Sequence, residues 1–259
     1  MAVTADEAQL VEAIARQVLE VLLAGAGQGQ GQGAGRSTSM PFPPSSSPDS
    51  RWPEQGGCPL VPVGVSVRHV HISRGDLDAL FGPGYELSKL RDLTEPGEFA
   101  AREVVTVVGP KLRSMDNVRI LGPLRKQTQV ELALTDCILL GIDAPVRRSG
   151  DLAGSAPITL VGPNGTLRLT EGAIRANRHI HVPTAWLRHY GLANDQEVQV
   201  RVSGDKALLF ENVQVRAGDE LKLEMHLDTD DSNGAGLRCG STVKVILPNR
   251  GGCQCSLAK

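Results

Sequence analysis

Net charge is nearly absent from this chain: 27 lysines and arginines face 29 acidic residues, a formal balance of −2. That excludes a bulk electrostatic surface for nucleic acid or membrane, so an anionic ligand must be met by a local basic cluster. Long apolar runs are also missing, none approaching the ~20 residues of a membrane-spanning helix. The start carries no basic stretch ahead of an apolar core, and the expectation is a soluble protein that is not secreted. Five cysteines, odd in number and irregularly spaced, provide no disulfide framework and fit a reduced cytoplasmic interior. Cys253 and Cys255 form a C-x-C in a polar tail without a third ligand nearby, and they read as terminal thiols rather than a metal site.

What is present is 41% apolar content over 259 residues, enough for one large domain or two small ones. Residues 1–24 hold a helix signature: Thr4 as N-cap, Glu7 three positions on, and Leu10, Ile14, Val18, Val21 and Leu22 on one face, with Gly25 past the end. Residues 25–58 are a Gly/Gln then Pro/Ser linker that cannot bury a core. The helix either folds back on its own domain or serves as a partner-binding tag, and the linker's length favours the tag. From Cys58 on, short β-type runs follow at 61–67, 104–108, 118–121, 129–134, 158–161, 166–169, 198–202, 207–210, 213–215, 221–225 and 243–247, punctuated by Gly, Pro, Asn and Asp. Brief helices are expected at 73–81 and 183–190. This texture predicts a mainly β protein built of barrels or sandwiches.

Four of the six histidines fall in two R-H-x-H copies, V-R-H-V-H-I-S at 67–73 and N-R-H-I-H-V-P at 177–183. Each is followed by one of the expected helices, which points to two related β-barrel units. In a strand, residues i and i+2 lie on one face about 7 Å apart, so H-x-H presents two imidazoles to one point. A catalytic zinc usually takes three protein ligands, leaving each pair one short. His226, at the end of an alternating run, is a candidate third ligand. Glu131, in Q-V-E-L-A-L, is either a metal carboxylate or a solvent-facing strand residue, and the alternation leaves both open. His189 reads as surface. Neither a cupin, which places a glutamate shortly after the second histidine, nor a metallo-β-lactamase, which continues H-x-H-x-D-H, matches the spacing. Lys111, Arg113, Arg119, Arg125 and Lys126 cluster ahead of Glu131, and guanidinium near a metal is a way to hold phosphate.

Taken together, S-V-R-H-V-H-I-S, L-T-E-P-G-E-F-A-A, V-T-V-V-G-P-K, N-V-R-I-L-G-P-L-R-K-Q-T-Q-V-E-L, R-H-I-H-V-P and L-E-M-H-L-D-T-D-D-S-N resemble the PduL-type phosphotransacylases of bacterial microcompartments, the phosphate propanoyltransferases, over about residues 60–246. The resemblance implies an enzyme with two Zn²⁺ that interconverts acyl-CoA plus phosphate with acyl phosphate plus CoA, recycling CoA in a microcompartment lumen. It implies His69, His71 and Glu131 as ligands of one zinc, and His179, His181 and His226 as ligands of the other. Arg125 matches the phosphate-binding arginine, and Val65, Ser66, Val67, Lys111, Arg119 and Asn233 match positions that contact CoA. The implied architecture is two β-barrels capped by short helices, 59–68 with 177–248 forming the first and 69–176 the second, with the active site at their interface. A tail follows at 249–259. Residues 1–24 are implied to be an encapsulation peptide that meets a shell or cargo protein. One departure is K-L-R-S-M-D-N-V-R at 111–119, one residue longer than the family's G-P-K-G turn. The rival readings are a dizinc acyl-CoA hydrolase and a non-catalytic, zinc-stabilised assembly module. Acyl chain length, direction of reaction and homo-oligomeric state are left open.

Overall fold

The computed structural model describes residues 58–247, so the N-terminal helix, all but the last residue of its linker and the tail lie outside the described residues. In chain order the elements are β1 (Leu60–Ser66), β2 (His69–Ser73), α1 (Arg74–Phe81), β3 (Lys89–Asp92), β4 (Phe99–Val108), β5 (Ser114–Arg125), β6 (Gln129–Glu131), α2 (Leu134–Leu140), β7 (Val146–Arg147), β8 (Ala156–Val161), β9 (Thr166–Ala176), β10 (His179–Val182), α3 (Thr184–Tyr190), β11 (Glu197–Val202), β12 (Leu208–Ala217), β13 (Glu224–Asp228), α4 (Thr229–Ala235) and β14 (Thr242–Ile246).

The expected β class holds, as two closed six-stranded barrels. The first runs β1-β13-β10-β12-β11-β14 and closes because β1 pairs with β14. The second runs β4-β5-β2-β6-β9-β8, closed by β8 pairing with both β4 and β9, while β3 and β7 lie on its edges. Alternation decides which residues enter each barrel. Val198, Val200 and Val202 point into the first core with Ile180, Val182 and Trp186 of the capping helix α3. Val70, Ile72, Val105, Val107 and Ile120 fill the second with Leu77, Leu80 and Phe81 of α1. Filling each barrel with branched side chains leaves no pore, and the closure leaves few exposed edges.

The two barrels share one wiring. In the second, β2 runs parallel to β5 and antiparallel to β6; in the first, β10 runs parallel to β12 and antiparallel to β13. The match continues through β4 with β11, β8 with β14 and β9 with β1. Helices follow the matching strands, α1 and α3 after the H-x-H strands, α2 and α4 after β6 and β13. The first barrel is a circular permutation, since its sixth strand, β1, comes from ahead of the other barrel. Consequently the chain crosses between barrels twice, at β1 to β2 and at β9 to β10, and each crossing leads directly into R-H-x-H.

Several expected boundaries shift for local reasons. The run at 129–134 ends as a strand at Glu131, and Leu134 opens α2. The runs at 207–210 and 213–215 are one strand, kinked by Asn212 at φ 55°. The run at 221–225 starts as a strand only at Glu224, because the backbone N–H of Leu221 turns back to the Gly218 carbonyl, 3.3 Å away. Among the described residues Cys137 and Cys239 are free thiols. Among the described residues no helix is long and apolar enough to cross a membrane.

Candidate active site

Because Val70 and Ile72 fill the second barrel, the alternating His69 and His71 must point out of it. Likewise Ile180 and Val182 fill the first barrel and turn His179 and His181 outward. The antiparallel registers then place Glu131 opposite His69, and His226 opposite His179. Each H-x-H pair thus receives its third group from the neighbouring strand at the equivalent position.

In the first triad, the Nε2 atoms of His69 and His71 lie 3.2 Å apart. Glu131 Oε2 is 3.5 Å from His69 Nε2, and its Oε1 is 3.7 Å from His71 Nε2. His69 Nδ1–H donates to the Val67 carbonyl at 2.8 Å, which leaves Nε2 as the nitrogen that faces His71 and Glu131. Donors about 2.0–2.1 Å from a tetrahedral zinc would stand roughly 3.4 Å from one another, and these separations bracket that value. The second triad stacks the rings of His179 and His226 with centroids 4.9 Å apart, and His181 sits 4.5 Å from His226. His179 Nδ1–H donates to the Asn177 carbonyl at 2.8 Å, repeating the first crossover. His226 Nε2 is buried without a hydrogen-bond partner; Glu224 Oε2 stands 3.5 Å away, but a neutral imidazole makes no ion pair with it. An orphaned buried ring nitrogen facing two further imidazoles is a costly arrangement that a metal would satisfy, so both donor sets suit zinc.

Electrostatics keep His71, His179, His181 and His226 neutral. Burial, then the neighbouring His69 and Arg125, pushes His71 down to about 2. Burial likewise lowers His179 and His181 to about 4 and His226 to about 2, with Arg216 adding to all three. Burial raises the carboxyls of Glu95 and Glu224 above their usual range. One stability prediction follows for protein stripped by a chelator. As pH falls through about 6.5 the unfolded chain takes up protons that the four buried imidazoles refuse, so stability must fall, by up to about 1.4 kcal/mol per pH unit for each ring. Glu95 and Glu224 act in the opposite sense, because their raised carboxyls take up protons more readily in the folded chain, and they offset part of that decline. Urea midpoints measured from pH 8 to pH 5 should therefore decline below about 6.5; a flat profile would show the rings titrate normally.

Two members of each triad line one cleft, His69 and Glu131 beside Ser66 and Val67, and His179 and His226 beside Asn177. The arginine of each R-H-x-H braces its crossover against a helix: Arg68 pairs with Asp136 of α2 at 2.8 Å, and Arg178 with Asp231 of α4 at 3.5 Å. Arg125, at the end of β5, donates to Ser149 Oγ at 3.0 Å and to Glu98 Oε1 at 3.2 Å. Ser149 Oγ accepts from Gln129 Nε2 at 2.9 Å, which also donates to Glu131 Oε1 at 2.5 Å. A continuous polar chain therefore joins the arginine to the first triad.

The remaining candidate positions divide. Ser66 and Val67 line the cleft, and Val65 precedes them with its N–H directed at Cys239 Sγ, 3.3 Å away. Arg119 lies beside His69 in register, but its guanidinium donates to the Ala101 and Arg102 carbonyls. Lys111 lays its aliphatic stem near Gly141 after α2, and Asn233 is exposed on α4; neither lines the cleft. Sequence reading missed Gln129 and Glu224, both detectable as i−2 neighbours of candidate ligands on an alternating strand. It also missed Arg216, opposite His181 in register, and the role of Glu95, whose partner His181 lies 86 residues further on.

Comparison with known proteins decides the family. The family model for phosphate propanoyltransferase matches residues 62–238. The chain belongs to this family. It is 48% identical over 186 residues to the phosphate propanoyltransferase of Lachnoclostridium phytofermentans, covering 72% of this chain and 87% of that one. It is 49% identical over 189 residues to the Thermotoga maritima protein of the same name, covering 73% and 90%. A third, from Listeria monocytogenes, is 45% identical over 186 residues, 72% and 87% of the two chains. As a phosphate propanoyltransferase family member the chain is an acyltransferase, and the matched segment contains both triads, Arg125 and the cleft.

Proposed function

We propose that this chain moves a short acyl group between CoA and inorganic phosphate at two zinc ions, one held by His69, His71 and Glu131, the other by His179, His181 and His226. What supports it is the convergence of two donor triads, one from each barrel, on a single cleft with Arg125 near His71. The relatives' name supplies propanoyl as the acyl group and phosphate as its acceptor.

In the forward direction a phosphate oxygen attacks the thioester carbonyl carbon. The new C–O bond forms, the C–S bond breaks, and CoA departs as thiolate. Bound zinc supplies a Lewis acid for the carbonyl and a cation for the thiolate. Arg125 contributes a planar fork for the phosphate oxygens once Glu98 gives way. Val65, Ser66 and Val67 guide the thiol end of CoA into the cleft, and Lys111, Arg119 and Asn233 contact the rest of it. Ser66 lines the cleft as a hydrogen-bonding group, and direct attack needs no acyl-enzyme. Ping-pong kinetics with a trapped acyl-Ser66 would refute that order of events.

The deciding measurement is CoA release from propanoyl-CoA and acetyl-CoA with and without phosphate, on protein whose zinc has been counted. Release should depend on phosphate. Release without phosphate would make the chain a dizinc hydrolase, and none at full zinc loading would make it an assembly module. We further propose that residues 1–24 direct the enzyme into a microcompartment lumen within the cytoplasm by meeting a shell or cargo protein, where it recycles CoA. Deleting residues 1–24 should leave turnover intact and abolish encapsulation; loss of turnover in a folded, zinc-loaded truncation would count against a separable tag.

A further inference from the structure

Three of the five candidate histidine ligands, His69, His179 and His181, have a hydrogen-bond partner at Nδ1, and one differs in kind. His69 and His179 are fixed by backbone carbonyls of their own crossovers, Val67 and Asn177. His181 is instead fixed by a side chain from the opposite barrel. Glu95 sits in the loop between β3 and β4 of the second barrel, and its Oε1 accepts from His181 Nδ1–H at 2.7 Å. Glu95 is only 7% exposed, and burial raises its carboxyl despite the Lys222 backbone N–H and the Lys222 and Arg216 charges nearby. Burying a carboxylate is costly, and the bond to His181 is the side-chain contact that sets its direction.

The loop is built to hold that carboxylate in place. The Leu93 N–H bonds the Glu98 carbonyl at 3.0 Å and the Glu98 N–H bonds the Glu95 carbonyl at 3.2 Å, so the turn is closed on itself. Thr94 Oγ1 donates to Glu224 Oε1 on β13 at 3.3 Å, tying the turn to the strand that carries His226. Glu98 at its other end pairs with Arg125.

We propose that Glu95 is the positioning residue of the second metal centre, fixing the ring of His181 across the barrel interface so that Nε2 presents its lone pair to the ion. This rests on the zinc reading given above. A carboxylate on the far nitrogen of a ligating histidine locks its tautomer and orientation and raises its basicity, and losing such a partner typically weakens metal binding 10–100-fold. Because the carboxylate belongs to the second barrel, the second centre depends on both barrels although its three histidines come from one.

The test is zinc binding by the full chain, titrated against a competing chelator, for wild type, E95Q and E95A. Wild type should hold two ions. E95A should bind one of them about 100-fold more weakly and the other unchanged; E95Q, which keeps an acceptor oxygen but loses the charge, should weaken the same ion about tenfold. If E95A fails to fold, E95Q alone decides. Both ions bound as in wild type by a folded variant would overturn the inference, as would equal weakening of both. A wild-type chain that binds no zinc would instead overturn the metal reading on which the inference stands.

Discussion

Alanine at His69 should lower phosphate-dependent CoA release by about 10³-fold or more and leave the protein with one zinc in place of two. The size follows from what the metal supplies: polarising the carbonyl and stabilising the thiolate are together worth several kcal/mol, and each 1.36 kcal/mol is a tenfold change in rate. The loss should be sharp because the first triad has no spare donor. His69 Nε2 stands 3.2 Å from His71 and 3.5 Å from Glu131, so removing it leaves two groups where a catalytic zinc takes three. Gln129, next on the same face, carries an amide already donating to Glu131 and cannot replace an imidazole. Alanine at His189, on α3 with its ring edge-on to Tyr190 and outside both triads, should leave turnover and zinc content unchanged. Equal activity in the His69 and His189 variants would remove the first triad from the reaction. The parallel His179 variant should lose the other ion, and comparing the two separates the centres.

How far the sequence predicted this site depends on the range of the signal. The H-x-H pairs were legible because a two-residue period is local: Val70 and Ile72 must enter the barrel, which turns His69 and His71 out. Arg68 and Arg178 were visible as repeats, but their roles were not, since their partners Asp136 and Asp231 lie far along the chain. Glu131 was ambiguous for the same reason. Only the pairing of β6 with β2 sets it opposite His69, and register between distant strands leaves no trace in either strand alone. The helices α2 and α4 escaped notice because Leu-Thr-Asp-Cys-Ile-Leu-Leu and Thr-Asp-Asp-Ser-Asn-Gly-Ala are too short and, in the second case, too poor in helix formers to stand alone. Capping and packing hold them, as when Asp228 accepts from the Asp231 N–H at 2.8 Å. Glu95 lay beyond sequence reading, because its function exists only where one barrel's loop touches the other's strand.

Alanine at Arg125 should raise the KM for phosphate about 30-fold while moving the KM for acyl-CoA little. The guanidinium lies at the end of β5, where β2 pairs with it in register at Ser73, and its charge is felt by His71 of the first triad. A charge-assisted hydrogen bond to phosphate is worth about 2 kcal/mol, which gives the 30-fold figure. Lysine at this position keeps the charge but not the two-pronged geometry, so it should recover only part of the loss. The partner of Arg125 in the absence of phosphate supplies a second, opposite expectation. Glu98 holds the guanidinium at 3.2 Å, with each side chain about a third exposed, 34% and 35%. A pair so placed is worth at most about 1 kcal/mol, and phosphate must displace it on binding. E98Q should therefore lower the KM for phosphate by roughly threefold to fivefold, the reverse of the arginine variant. Combining R125A with E98Q should abolish that gain, because the carboxylate then has no guanidinium to block. If E98Q still lowered the KM in the R125A background, Glu98 would be acting on phosphate by general repulsion rather than by occupying Arg125; an unchanged KM for phosphate in R125A alone would remove the arginine as the phosphate seat.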